Sequence, residues 1–457
     1  MKFQFKAILQ NDGWLENALV ETDPNGRIVS VGADAQGKAD ELIDGFALPG
    51  FQNAHSHAFQ YAMAGLAENH RPGNFRDDFW SWREAMYSLA LSIDPEQLEA
   101  TAAMLYAEML RHGYTNVAEF HYLHHDRDGT LYSDRAEMSS RLIAAARRTG
   151  IGITLIPIFY QKGGFGTGPE PKQKRFISAT PEEYQRLFEA AADACRSYEN
   201  ANIGMGIHSL RGVEPELIKE VVDSLPADLP FHIHISEQLK EIEDCLSHLG
   251  KKPVQWMLDN AELSDRFHFV HATHVDDYEV KGLAESGVNV VLCPTTEGNL
   301  GDGIFPLGKF QDRGGSWSIG TDSHVSLNPF EELRLLDYGQ RLVSHRRNIF
   351  ADRAEGNSGI NAIRRATLTG RRAMNDQSQG FFEVGRPFNA SVISAGHPLL
   401  QTASPENRLN TIIYSSDETW QTGTIAFGIW RSKNGRHQLQ ERITGDFLEA
   451  VKELGNR

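Results

Sequence analysis

The residues best placed to do chemistry begin at "NAHSH" (53–57), where His55 and His57 stand one residue apart after a short apolar run. In an extended segment residues i and i+2 point the same way. The two imidazoles can therefore meet at one point, and a metal ion is the usual reason for such convergence. A lone H-x-H also occurs as a surface or hydrogen-bonded pair, so the rest of the chain has to decide. Further candidates recur at the ends of other apolar, β-branched runs: His208 and Arg211 in "GIHSLRG", His234 and Glu237 in "FHIHISE", His271 in "FVHATH" and Asp322 in "SIGTDSH". A random scatter of 18 histidines would not track run ends in this way. His55, His57, His234 and Asp322 offer three imidazoles and one carboxylate, a donor set that suits Zn²⁺ with a position left for water. Zinc lowers the pKa of such a water to about 7. No lysine lies at the end of the His208 run to bridge a second ion, which favours one zinc per chain.

Eight such runs are present: 47–57, 115–123, 152–160, 202–210, 230–237, 267–275, 288–297 and 316–324. Amphipathic helical stretches separate them. In "PEQLEATAAMLYAEMLRHG", Leu98, Ala102, Leu105 and Met109 keep one apolar face, and Gly113 supplies the stop. Strand-then-helix units in this number predict an α/β fold, a (β/α)8 TIM barrel, whose active site lies at the C-terminal ends of the strands. A doubly wound open sheet is the alternative, but no glycine-rich dinucleotide fingerprint follows any strand. Short strands with turns at "NDG" and "DPNG" before residue 47, and again after 375, predict one small β-sandwich domain built from both termini. The expected division is 1–47 and 376–457 for that domain and 48–375 for the barrel. "GGFGTGPEPKQKRF" (163–176) reads as a mobile loop over the barrel mouth.

Composition narrows the class. A charge of −16 argues against nucleic acid and against anionic membrane surfaces. It also means that an anionic substrate needs its own local arginines. Cys195, Cys245 and Cys293 are scattered and odd in number, which fits a reducing compartment rather than a disulfide framework. The N-terminus lacks the apolar core of a signal peptide and no 18-residue apolar span occurs, so a cytoplasmic protein is expected.

The H-x-H after the first run, the H-x-x-E of the fifth, the His of the sixth and the Asp of the eighth together resemble the amidohydrolase superfamily in its mononuclear deaminase branch. The likeness runs over nearly the whole chain. One departure is Ala390-Ser391-Val392-Ile393, where the family usually has Ala-Asp before the apolar run; that position is far from the metal. Roles then follow from the chemistry of hydrolysing a carbon that bears a leaving nitrogen. Glu237 can carry a proton from water to that nitrogen. Asp322 can take the water's proton while touching the metal. His271 can donate a hydrogen bond to the nascent oxygen or orient the water. Each has a plainer use: a solvated helix-start carboxylate for Glu237, a satisfied core histidine for His271. His274 reads as structural.

Within that branch, "NAHSHAFQYAMAGLAE", "EFHYLHHD", "HSLRGV", "CPTTEGNLGDGIFP" and "GTDSHVSLNPFEELRLLDYGQR" resemble the formimidoylglutamate deiminases of histidine degradation. The resemblance implies a small-molecule substrate, N-formimidoyl-L-glutamate, with Gln60, Tyr122 and His208 as contacts, and a homodimer. That substrate has an amidine carbon to hydrolyse and two carboxylates to anchor, and the planar fork of Arg binds carboxylates bidentately. Arg211, just beyond His208, and Arg83 in "FWSWREAMY" are the anchor candidates. Surface positions or fold-holding ion pairs remain open for both arginines, rim packing for Tyr122 and Gln60, and orientation of Arg211 for His208. Two other functions compete. A guanine-type deaminase would share the metal set but need amides and aromatics for a neutral planar base. A non-catalytic binding barrel would be expected to have lost a ligand or Glu237.

Overall fold

The structure, a computed structural model, describes residues 1–33, 38–68, 78–352 and 355–455. Eight parallel strands form its centre: β1 (Phe51–Ser56), β2 (Tyr114–His121), β3 (Gly152–Phe159), β4 (Met205–Ser209), β5 (Phe231–Ile235), β6 (Phe267–His271), β7 (Asn289–Leu292) and β8 (Ser316–Ile319). They are hydrogen-bonded in sequence order, with helices on the connections. Strands covered on both faces carry near-continuous apolar runs, and nearly every residue of these eight is buried. This is the expected (β/α)8 barrel.

The seam between β8 and β1 closes just beyond the strand ends. Thr321 and Asp322 donate their N–H groups to His55 O at 3.2 and 3.1 Å, and His57 N–H donates to Asp322 O at 3.3 Å. Asn53 adds side-chain bonds to Thr321, accepting its N–H at 3.0 Å and donating to its Oγ1 at 2.7 Å. Gly320 makes the approach possible: a Cβ there would lie 2.8 Å from His55 Cβ. A glycine is thus required before the T-D pair.

The strands are shorter than the runs that predicted them. The run 267–275 pairs only as far as His271, which takes a left-handed φ of +69°, and 288–297 stops at Leu292 because Pro294 opens a helix. Helix Pro95–Arg111 buries Leu98, Ala102, Leu105 and Met109 and begins at Asp94, whose side chain accepts the Gln97 N–H at 2.8 Å. It ends at Gly113, φ +99°, packed so closely that a Cβ would meet Ser391 Oγ at 2.6 Å.

Both termini contribute to a second sheet, in which strand Glu41–Pro49 lies between Lys2–Gln10, parallel, and Ala390–Ser394, antiparallel. Ser391 sits in this sheet, its hydroxyl accepting from Gln421 Nε2 at 3.1 Å.

The segment 163–176 differs from the mobile loop expected of its composition. Its second half is anchored: Gln173, Arg175 and Phe176 are fully buried. Arg175 donates to the carbonyls of His125, Ala90 and Ile93 at 2.5–2.7 Å. A guanidinium that satisfies three buried carbonyls cannot leave without orphaning them.

Candidate metal centre and active site

His55 and His57 project from the end of β1, His234 from β5, and Asp322 from the turn after β8. Their donor atoms converge. The three Nε2 atoms are 3.0–3.3 Å apart, and Asp322 Oδ1 is 3.5 Å from that of His55 and 3.3 Å from that of His57. Donors bound about 2.0–2.1 Å from a tetrahedral ion lie about 3.3 Å from one another. The tautomers point the same way. His57 Nδ1–H donates to Phe120 O at 2.9 Å and His234 Nδ1–H to His208 O at 3.1 Å. Their Nε2 lone pairs then face each other, an arrangement that a cation at their centre relieves. Burial keeps these imidazoles neutral: it drives His57 down to about 3, helped by His55 beside it, and holds His234 well below its usual range. Burial alone would raise Asp322, but His55, His57 and His271 hold it well below the usual carboxylate range. The set fits one divalent ion with nitrogen and oxygen ligands.

Glu237 and His271 stand beside this group. His271 Nε2 lies 3.8 Å from Glu237 Oε1 and 3.7 Å from Asp322 Oδ2, while its Nδ1 faces Glu297 Oε1 at 3.3 Å. Burial disfavours charge on His271, yet Glu237, Glu297 and Asp322 together push it up to about 10. Burial lifts Glu237 to about 7 against the pull of His271 and Arg211. The backbone is strained at this rim: Ser236, His271, Ala272, Asp322 and His324 all have φ between +46° and +69°. Each such residue costs on the order of 1 kcal/mol, and they gather where function demands a fixed direction.

The five residues expected to touch substrate line one cavity with His57, His234, Glu237, His271 and Asp322. Arg83 stands on helix Phe79–Ser92. Its guanidinium lies 4.5 Å over Trp80 and 5.3 Å from Tyr87, with Glu170 at 3.7 Å and Nε–H unpartnered. Arg211 follows β4 in a short 3₁₀ turn, 3.6 Å from Glu241, with a buried Nη1 that makes no hydrogen bond. Gln60 donates to Tyr122 Oη at 3.0 Å and keeps a free buried Oε1. His208 stacks on Tyr160 at 4.1 Å.

Four side chains escaped the sequence reading. Glu119, on β2, accepts from Ala58 N–H at 2.6 Å, Ser56 Oγ–H at 2.7 Å and Tyr106 Oη–H at 3.1 Å, and so pins the H-x-H segment. Glu297 holds His271, and Glu241 faces Arg211. Gln173 donates to the hydroxyls of Tyr87 and Tyr160 at 3.1 and 2.8 Å in the cavity wall. A carboxylate inside the apolar run "TNVAEFHYL" was the one available signal for Glu119.

A closed parallel barrel with metal donors and a titratable pair at its strand ends defines a class, the metal-dependent barrel hydrolases. Within it, this chain belongs to the amidohydrolase family, whose pattern matches residues 46–435. A formimidoylglutamate deiminase of Pseudomonas aeruginosa is 42% identical over 99% of both chains. A 5-methylthioadenosine/S-adenosylhomocysteine deaminase of Haloarcula marismortui is 28% identical, covering 87% of this chain and 84% of its own. Among solved structures, an amidohydrolase from Brucella melitensis superposes with a TM-score of 0.93 at 40% identity over 99% of both chains. A zinc-containing adenosine deaminase from Xanthomonas campestris shares the fold, with a TM-score of 0.81 at 21% identity over 100% of this chain and 98% of that one.

Proposed function

We propose that this chain hydrolyses N-formimidoyl-L-glutamate to N-formyl-L-glutamate and ammonia in histidine degradation. One observation carries the reading: two guanidiniums, Arg83 and Arg211, bring unpartnered N–H groups to the same cavity as the His/Asp cluster and Glu237. A substrate with two carboxylates and an amidine uses all of these, whereas a neutral base such as guanine brings no anion to the unpartnered N–H groups of the two arginines. The activity named for the Pseudomonas aeruginosa relative supports it.

His55, His57, His234 and Asp322 would hold one zinc ion per chain. When bound it supplies a Lewis acid and a water acidified to near neutrality. Glu237, poised near 7 by burial, accepts a proton and returns it to the terminal nitrogen of the amidine. The amidine carbon gains the water oxygen, its bond to that nitrogen breaks, and ammonia leaves with both water protons. His271, held charged by three carboxylates, donates from Nε2 toward the forming oxygen. Arg83 and Arg211 take the substrate carboxylates, and Gln60, Tyr122 and His208 contact the chain between. The reading includes a catalytic barrel over 48–375, a β domain from 1–47 and 376–457, and a cytoplasmic homodimer. No described helix is long and apolar enough to cross a membrane.

The test is ammonia release by zinc-replete protein from N-formimidoyl-L-glutamate beside guanine. Turnover of the former at much the higher kcat/KM is expected. A preference for guanine, or no ammonia from either, would sink the assignment.

A further inference from the structure

Glu241 stands in the first turn of helix Leu239–Leu249, where an acidic residue is ordinarily solvated and favoured by the helix dipole. Here it is 1% exposed. Its Oε2 accepts the Glu237 N–H at 3.0 Å and lies 3.6 Å from Arg211 Nη1, while Oε1 is buried and makes no hydrogen bond. A carboxylate this deep persists only where a cation and donors face it, and among the described residues its one ion pair is with Arg211. The chain between His234 and Glu237 turns through the left-handed Ser236, so the Glu237 N–H reaches no strand neighbour and is received by Glu241 instead.

We propose that Glu241 is a positioning residue that ties Glu237 and Arg211 into one unit. Its hydrogen bond sets the Glu237 backbone, and its charge keeps the Arg211 guanidinium at one place on the cavity wall. The span between proton carrier and anchor is thereby fixed, which sets how far a carboxylate can lie from the scissile amidine. This rests on the proposed function, in which Glu237 moves the proton and Arg211 binds a substrate carboxylate.

The variants separate the two contacts. E241Q keeps an acceptor for the Glu237 N–H but loses the charge facing Arg211. It should raise KM for N-formimidoyl-L-glutamate about 10-fold or more with kcat within about 3-fold, at unchanged zinc content. In an R211M background, E241Q should change kcat/KM by less than about 2-fold, since the pair no longer exists. E241M in that background should lower kcat by a further 10-fold or so, because the Glu237 N–H has lost its acceptor. In the R211M background the Gln and Met variants leave neither a buried guanidinium nor a buried carboxylate unpaired, so their comparison stands even if E241Q alone fails to fold. An E241Q loss of equal size with and without Arg211, or equal kcat for the Gln and Met variants in the R211M background, overturns the proposal. Absence of ammonia release by the wild-type protein would instead overturn the function on which it rests.

Discussion

Ser56 Oγ–H donates to Glu119 Oε2 across 2.7 Å, joining the strand that carries His55 and His57 to its neighbour in the barrel. With the Ala58 N–H and the Tyr106 hydroxyl, three donors converge on this one buried carboxylate. Groups that hold ligands from behind are typically worth 10–100-fold in metal affinity. Glu119→Ala should weaken zinc binding by about that factor. Glu119→Gln should fall between, because the amide oxygen can keep the Ala58 N–H while the two hydroxyls turn to accept. Competition against a chelator gives the order, and equal affinity in all three proteins would show that Glu119 does not position the ligands.

Glu237→Gln is nearly isosteric but cannot carry a proton. Zinc content and KM should hold while kcat falls about 10²-fold or more. Near-normal turnover would remove Glu237 from the proton path.

Arg83→Met should cost one charge-assisted hydrogen bond to substrate, on the order of 1.5–3 kcal/mol, or about 10–100-fold in kcat/KM. Against formimidoylglutamine, which lacks the side-chain carboxylate, and N-formimidoyl-4-aminobutyrate, which lacks the α-carboxylate, the loss should nearly vanish for whichever lacks the Arg83 partner. A loss of the same size on all three substrates would mean that Arg83 binds neither carboxylate.

Glu332, away from the cavity, offers a pH test. Burial pushes it up to about 8, against hydrogen bonds from the Thr295 N–H and hydroxyl. In the unfolded chain it ionises near 4.3. The folded state therefore keeps a proton that the unfolded state releases. The stability it confers is full below the unfolded pKa and is lost as pH rises toward 8. Glu332→Gln can pair with Thr295 through oxygen and NH₂ and does not titrate. Its Tm relative to wild type should rise between pH 5 and pH 8. A difference independent of pH would mean that Glu332 ionises normally.

The barrel and the donors at its rim were legible because the two signals coincide. Apolar strand runs end where polar residues must turn the chain, and those polar residues are the ones that face the cavity. His234 and Asp322 could be placed together although 88 residues separate them in number, since each closes such a run. Glu119, Glu241 and Glu297 could not, because their partners (the Ala58 N–H, Arg211 and His271) are set by folding alone. The segment 163–176 misled for a related reason. Glycine and proline mark turns, but composition carries no sign that Arg175 would find three orphan carbonyls, two at the end of helix Phe79–Ser92 and one at His125.

Two clasps hold β1 in place, one beyond each of its ends. At one end Asp322 meets His55 and His57, residues 265 or more positions apart that share the same donor cluster. At the other, the strand that leads into β1 is paired with Ala390–Ser394 from the far side of the sequence. Closure of the hoop and assembly of the catalytic rim are thus a single event. A chain that has not brought its first and last barrel strands together has neither a complete core nor a place for the ion.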